Sequence, residues 1–124
     1  MANIFVIEDA PEMAFLIKTI LEDDNHVVSL FNDGEEAAAR LACELPDLIV
    51  LDVMLPKTDG YTLCTNWAAD SRLSAVPVVV VTAKGNTRET FKAQPNVTAF
   101  LDKPFNKYVL QHMVERALKK KNSV

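Results

Sequence analysis

The 124-residue sequence lacks several features that would place it in a functional class directly. It has no excess of positive charge: the formal net charge is −4, which argues against direct binding to nucleic acid or to an anionic membrane. It has no apolar run near the roughly 20 residues that a membrane span requires. No signal-peptide pattern precedes the first apolar run, so we expect a cytoplasmic protein.

The sequence also lacks a cysteine pattern that would indicate a disulfide scaffold or a zinc site. Cys43 and Cys64 lie far apart, and neither belongs to a CxxC pair. We expect both thiols to be reduced and packed in the interior, since a free cysteine usually behaves as a small buried hydrophobe. There is no repeat, linker or low-complexity segment, and the length suits a single domain, residues 1–124.

Short apolar runs alternate with amphipathic stretches along the chain. Five runs predict strands, at 4–7, about 27–30, 48–52, 78–82 and 99–101. Five stretches predict helices, at about 11–23, 35–45, 60–69, 87–93 and 107–120. This alternation predicts an α/β fold, in which helices cover both faces of a parallel sheet. The second strand is the most polar of the five and suits an edge.

Polar side chains follow the predicted strands where they end. Asp52 ends the continuously apolar third strand, Glu8 and Asp9 follow the first, and Thr82 ends the fourth. The carboxyl ends of parallel strands meet at one edge, where open α/β folds place their chemistry. The sequence therefore predicts a cluster of acids and a hydroxyl, a cation site that could present an aspartate for reaction.

Transfer of a phosphoryl group to a carboxylate would need such a cluster. The charged phosphoryl oxygens must be neutralised by a cation, and Mg²⁺ suits carboxylates, waters and phosphate oxygens. Glu8 and Asp9 could hold it beside Asp52. An ammonium and a hydroxyl would stabilise the other oxygens, and Lys103 and Thr82 are placed at strand ends to supply them.

The sequence resembles the receiver domain of two-component response regulators, a phosphorelay family of bacterial-type signalling. The motifs that carry the resemblance occur in order at the strand ends: Ile7-Glu8-Asp9, Leu51-Asp52-Val53-Met54-Leu55-Pro56 with Asp59-Gly60, Val81-Thr82-Ala83, and Phe100-Leu101-Asp102-Lys103-Pro104-Phe105. The resemblance covers nearly the whole chain. It implies a flavodoxin-like (βα)5 fold with strand order 2-1-3-4-5. Receiver domains are one known example of this strand order.

The resemblance implies a role for each acid. Asp52 would be the phosphoacceptor that forms an aspartyl phosphate. Asp9 and Asp52 would ligate Mg²⁺ or Mn²⁺ directly, and Glu8 would act through water. The main-chain carbonyl of Met54 would complete the protein ligands.

The resemblance also implies a catalytic pair and a switch. Lys103 would contact the phosphoryl group and Thr82 would hydrogen-bond it, so that the domain itself catalyses transfer and later hydrolysis. Phe100 would swing inward when Thr82 moves, and the Lys103-Pro104 bond would be cis. The donor would be a phosphohistidine on a histidine kinase or phosphotransfer domain. A downstream protein or output domain would bind the surface formed by the fourth helix, fifth strand and fifth helix. Two copies of the domain could also form a weak dimer through the fourth and fifth helices.

Two features depart from the family pattern. The segment before the fifth strand reads Ala93-Gln94-Pro95-Asn96-Val97-Thr98 in place of a small-residue Ala-Gly-Ala turn. Pro95 disfavours helical geometry at Gln94, so we expect a short fourth helix that ends by Ala93. The second feature is the pair Met54 and Lys84. In the family these two positions flank the approach of the hydrolytic water and tune phosphoryl lifetime, so the resemblance implies that a bulky Met54 and a cationic Lys84 would change the hydrolysis rate.

Three other interpretations remain at this point. A pseudo-receiver would keep the fold as a phosphorylation-independent interaction module, but it predicts a damaged site, and all five family site residues are present. A flavodoxin needs a phosphate loop where this chain has acidic Glu8 and Asp9. A phosphatase with an aspartate nucleophile usually carries a DxD motif, and the residue two after Asp52 is Met54.

Overall fold

A computed structural model describes residues 2–52, 60–82 and 94–122. The chain forms one five-stranded sheet in the order β2-β1-β3-β4-β5, in which every neighbouring pair is parallel. The strands are β1 (Asn3–Ile7), β2 (Val27–Phe31), β3 (Leu48–Asp52), β4 (Val78–Thr82) and β5 (Val97–Asp102). The predicted strand order is confirmed, and β2 lies at an edge as expected.

Four helices are present in the described part of the chain: α1 (Pro11–Asp23), α2 (Gly34–Leu41), α3 (Gly60–Ala69) and α4 (Lys107–Asn122). The helix predicted at 87–93 lies outside the described residues, so the C-terminal helix is α4 here. Among the helices described, none is both long and apolar enough to cross a membrane.

The sheet separates two apolar clusters, which explains the continuously apolar central strands. Every residue of β3 and β4 is buried, as expected for strands covered on both faces. One cluster holds side chains of α2 and α3, including Leu41 and Trp67. The other holds side chains of α1 and α4, including Ile17 and Leu110. Together the clusters anchor all five strands, and so fix where the polar strand ends lie.

The prediction that the second helix extends to residue 45 is wrong, because α2 ends at Leu41. The guanidinium of Arg72 donates a hydrogen bond to the main-chain carbonyl of Leu41, one of the groups that a helix end leaves without a helical partner. Leu45 is exposed, so no apolar contact would hold a longer helix, and Pro46 disfavours helical geometry at Leu45.

The expectation that both cysteines are packed is correct for Cys64 and wrong for Cys43. Cys64 is buried on α3, and burial raises the pKa of its thiol to about 12. Cys43 is exposed because α2 ends before it and the chain turns there, with the Cys43 N–H donating to the Arg40 carbonyl.

The turn between α1 and β2 generates a stability prediction. Asn25 has φ 67°, a left-handed conformation that Asn and Gly tolerate better than other residues. We expect Asn25→Ala to lower the free energy of unfolding by about 1 kcal/mol, and Asn25→Gly to leave it nearly unchanged. Urea denaturation of the three proteins tests this. Equal losses in both variants would mean that the Asn25 side chain, rather than its backbone conformation, stabilises the turn.

Candidate functional site

The candidate site lies at the carboxyl edge of the sheet, where four neighbouring strands end. Glu8 directly follows β1, Asp52 ends β3 and Thr82 ends β4. Lys103 follows β5, and its N–H donates to the Thr82 carbonyl over 2.8 Å. Hydrogen bonding between the strands sets the heights of these residues, so side chains far apart in sequence share one edge.

Three carboxylates meet at this edge. Glu8, Asp9 and Asp52 each offer an oxygen, and these oxygens lie within 4.8 Å of one another. Glu8 and Asp52 are buried, whereas Asp9 is exposed and keeps one side of the cluster in contact with solvent. The three acids of the predicted cluster therefore lie together. A small set of carboxylates that is open on one side suits Mg²⁺, which retains several waters in its coordination shell.

Lys103 contacts this cluster from the β5 side. Its Nζ lies 3.0 Å from Glu8 Oε1 and 3.6 Å from Asp52 Oδ2. The other Glu8 oxygen, Oε2, accepts a hydrogen bond from the Ala10 N–H over 3.2 Å. Both Glu8 oxygens thus have protein partners. Our sequence analysis did not identify Ala10, because a main-chain donor leaves no signature in the residue type.

Burial makes the carboxyl group of Glu8 a weaker acid than usual. Desolvation is the largest cause that raises the pKa of its carboxyl group, from 4.5 to about 7, and a hydrogen bond with Asp52 adds to the increase. The ammonium of Lys103 and the Ala10 N–H act in the opposite direction. The neighbouring acid Asp52 therefore adds to the raised pKa of Glu8, but desolvation contributes more.

The remaining predicted site residues are distributed as follows. Thr82 is buried, and Phe100 is half-buried against the apolar cluster of α2 and α3. The Lys103-Pro104 peptide bond is cis, as expected from the resemblance. Met54 and Lys84 lie outside the described residues.

The crowded carboxylates predict that neutralising one of them stabilises the metal-free protein. We expect Asp52→Asn to raise the free energy of unfolding in EDTA at pH 8 by about 1 kcal/mol or more, because above the pKa of Glu8 it removes one of two buried like charges. Thermal unfolding of both proteins in EDTA measures this difference. A lower melting temperature for Asp52→Asn would mean that the attraction between Asp52 and Lys103 outweighs the repulsion.

The raised pKa of Glu8 predicts a pH dependence of stability in EDTA. The folded state holds this proton more tightly than the unfolded state, so the contribution is complete below pH 4.5 and is lost as the pH rises through about 7. Since one pKa unit corresponds to about 1.4 kcal/mol, we expect a full loss of about 3.5 kcal/mol, of which about 2.5 kcal/mol falls between pH 5 and pH 8. Urea titrations of wild type and Glu8→Gln between pH 5 and pH 8 isolate this contribution. Parallel curves for the two proteins would exclude it.

Comparisons with known proteins agree with this geometry. The family model of the response regulator receiver domain matches residues 4–115. The DNA-binding dual master transcriptional regulator RpaA of Synechocystis is 35% identical over 107 residues, which are 86% of this chain and 44% of RpaA. The chain thus spans less than half the length of this curated relative.

Two solved structures share the fold. The signal receiver domain of a histidine kinase from Syntrophus aciditrophicus has a TM-score of 0.88 at 31% identity, over 97% of this chain and 92% of that chain. The receiver domain of a sensor histidine kinase from Pseudomonas aeruginosa, with a magnesium ion coordinated in its active-site cleft, has a TM-score of 0.86 at 28% identity, over 95% and 98% of the two chains. The family match, the sheet order and the strand-end cluster lead to one conclusion: this chain belongs to the response regulator receiver domain family.

Proposed function

We propose that residues 1–124 form one receiver domain that accepts a phosphoryl group from a phosphohistidine onto Asp52. The observation that carries this proposal is the position of Asp52. Its carboxylate lies at the sheet edge, next to the acids Glu8 and Asp9 and 3.6 Å from the Lys103 ammonium. An acceptor carboxylate between a cation site and a fixed positive charge suits phosphoryl transfer, which depends mainly on positioning and charge stabilisation.

The transfer exchanges one bond for another at phosphorus. A carboxylate oxygen of Asp52 forms the new P–O bond while the P–N bond to the donor imidazole breaks, and the bond's electron pair leaves with the imidazole. Lys103 then separates from Asp52 and contacts a phosphoryl oxygen with its ammonium. Thr82, buried at the end of β4, supplies a hydroxyl that hydrogen-bonds another phosphoryl oxygen. Attack of water on the same phosphorus later releases phosphate and restores Asp52.

The acidic cluster fits a divalent cation. We propose that Asp9 and Asp52 would hold Mg²⁺ or Mn²⁺ directly, Glu8 through water, and the Met54 carbonyl as a further ligand. The bound ion would neutralise negative charge on the phosphoryl oxygens. The close oxygens of the three acids and the exposure of Asp9 support this assignment. The Pseudomonas receiver, with its coordinated magnesium ion, also supports it.

Phosphorylation would act as a conformational switch. The new charge on Asp52 draws the Thr82 hydroxyl toward it, and the space that Thr82 leaves lets Phe100 move inward. Phe100 is half-buried at the margin of the α2 and α3 cluster, where a change in its packing can be accommodated. The altered surface would then bind a downstream protein or output domain.

Receiver domains interact with histidine kinases and with output domains, and we propose partners of both kinds here. The donor would be a histidine kinase or a histidine phosphotransfer domain. Because such donors obtain their phosphoryl group from ATP, the proposal places this domain in the cytoplasm. The similarity to RpaA, a DNA-binding regulator, supports an output in gene control, although the net charge of −4 argues that this domain does not itself bind DNA.

The proposal predicts a covalent adduct that can be weighed. After incubation with acetyl phosphate and Mg²⁺, we expect intact-mass spectrometry to detect one phosphoryl group on wild type, none on Asp52→Asn and none in EDTA. Lys103→Met should lower the rate of adduct formation by roughly 100-fold or more, in the range seen when one charge-stabilising donor is removed. Lys107→Met serves as a matched control, since Lys107 pairs with exposed Asp23 and not with an acid of the cluster.

The same experiment tests the alternative function. A folded wild-type protein that takes no phosphoryl group in Mg²⁺ would favour a pseudo-receiver that binds its partner without phosphorylation. An adduct that persists in Asp52→Asn would place the acceptor elsewhere. Added Mg²⁺ should also raise the melting temperature of wild type, because a ligand that binds only the folded state stabilises it.

A further inference from the structure

Two buried amide side chains connect the start of β5 to α3. Gln94 Nε2 donates to Thr65 Oγ1 over 2.8 Å, and Asn96 Nδ2 donates to the main-chain carbonyl of Cys64 over 3.3 Å. Gln94 is 9% exposed and Asn96 is 4% exposed. The Asn96 bond is buried, whereas the Gln94 bond ends on exposed Thr65 and is only partly shielded from water. We call this pair of hydrogen bonds the amide clasp.

The amide clasp extends into the first turn of α3 and into β4. The Thr65 hydroxyl accepts from Gln94 and donates to the Tyr61 carbonyl over 3.1 Å, which uses its donor and one acceptor site. The main-chain carbonyl of Asn96 accepts a hydrogen bond from the Val78 N–H over 2.9 Å. The clasp therefore joins α3 to β4, which carries Thr82, and to β5, which carries Phe100.

The clasp arises from the unusual sequence before β5. A turn of Ala, Gly and Ala would have no side chain long enough to reach α3, whereas Gln94-Pro95-Asn96 places an amide on each side of a proline. Pro95 has a fixed φ and restricts the residue before it, so the backbone between the two amides has little freedom. The two donors accordingly meet consecutive residues of α3, Cys64 and Thr65.

Asn96 is only partly satisfied in this arrangement. Its Oδ1 is buried and accepts no hydrogen bond within the described part of the chain. A buried polar atom without a partner costs free energy, so the clasp gains less than a fully bonded amide pair would. Opening the clasp would give water access to this oxygen, which would offset part of the cost of breaking the bond to Cys64.

The same two elements also border one apolar cluster. Leu63 and Trp67 of α3 belong to the cluster against which Val97 and Phe100 of β5 pack. A displacement of β5 at Phe100 would act on α3 through this shared cluster and through the clasp. Lys103 contacts the Asp52 carboxylate directly at 3.6 Å, and a phosphoryl group on Asp52 would separate them. Phosphorylation would therefore change the contacts of Lys103 at the end of β5.

We propose that the amide clasp holds α3 and β5 in the unphosphorylated arrangement and opens when Asp52 is phosphorylated. This regulation rests on the proposed function of the domain. A contact made in one of two arrangements stabilises only that one, so removing the clasp raises the population of the other. The clasp thus limits how readily the domain adopts the phosphorylated conformation.

Four single variants test the proposal. Thr65→Val and Gln94→Ala each remove the Gln94–Thr65 bond. Thr19→Val is the control for the first, because Thr19 makes the same intrahelical bond, to the Phe15 carbonyl over 2.9 Å, with no clasp partner. Gln111→Ala is the control for the second, because Gln111 Nε2 joins α4 to α1 over 3.1 Å.

Hydrogen exchange measures the clasp independently of phosphorylation. We expect amides of both β5 and α3 to exchange several-fold faster in Thr65→Val and in Gln94→Ala, while the two controls leave these elements at the wild-type rate. Exchange in β5 that stays at the wild-type rate in both clasp variants would overturn the proposal. This result remains decisive even if the wild-type protein takes no phosphoryl group, an outcome that contradicts the proposed function separately.

The rate of adduct formation with acetyl phosphate and Mg²⁺ measures the effect on the switch. We expect each clasp variant to be phosphorylated roughly two- to tenfold faster than wild type, since one net hydrogen bond shifts an equilibrium by about this factor. The double variant should match the single ones, because both remove the same bond. Variants that are less stable in urea yet are phosphorylated at the wild-type rate would assign the clasp to stability alone.

Discussion

The physical constraint behind the site is the crowding of carboxylates at one edge of a parallel sheet. Burial of β1 and β3 brings Glu8 and Asp52 to the same height, and the free energy of the apolar core is what holds these carboxylates together. The pKa of Glu8, raised to about 7 chiefly by desolvation, reflects that cost. Lys103 offsets part of it through contacts with both acids. The same charge density would bind a cation and a phosphoryl group.

The position of Lys103 connects this edge to the rest of the sheet. Its N–H is bonded to Thr82 at the end of β4, while its ammonium lies between Glu8 and Asp52. A change in charge at Asp52 therefore acts on β4 and β5 together. The amide clasp connects the beginning of β5 to α3. In our proposal a change in charge at the sheet edge therefore reaches α3 through β5.

Periodicity predicted the elements well where apolar patterns were long, and less well where a tertiary contact sets an end. Strands β3 and β4 and helices α1 and α3 have the predicted bounds. Helix α2 is shorter than predicted, because the Arg72 guanidinium bonds to its last carbonyl from a distant part of the chain. Strand β5 begins at Val97, two residues earlier than predicted, directly after the turn that Asn96 anchors to β4 and α3.

Local patterns in the sequence were sufficient to predict the fold class and the acids at the strand ends, because apolar runs alternate and polar residues occur where those runs stop. The sheet order followed from the family resemblance. The packing of the folded chain was needed to show that Lys103 lies closer to Glu8 than to Asp52, that Ala10 donates to Glu8, and that two amides reach α3. Distances between side chains far apart in sequence depend on how helices and strands pack, and no local pattern encodes them.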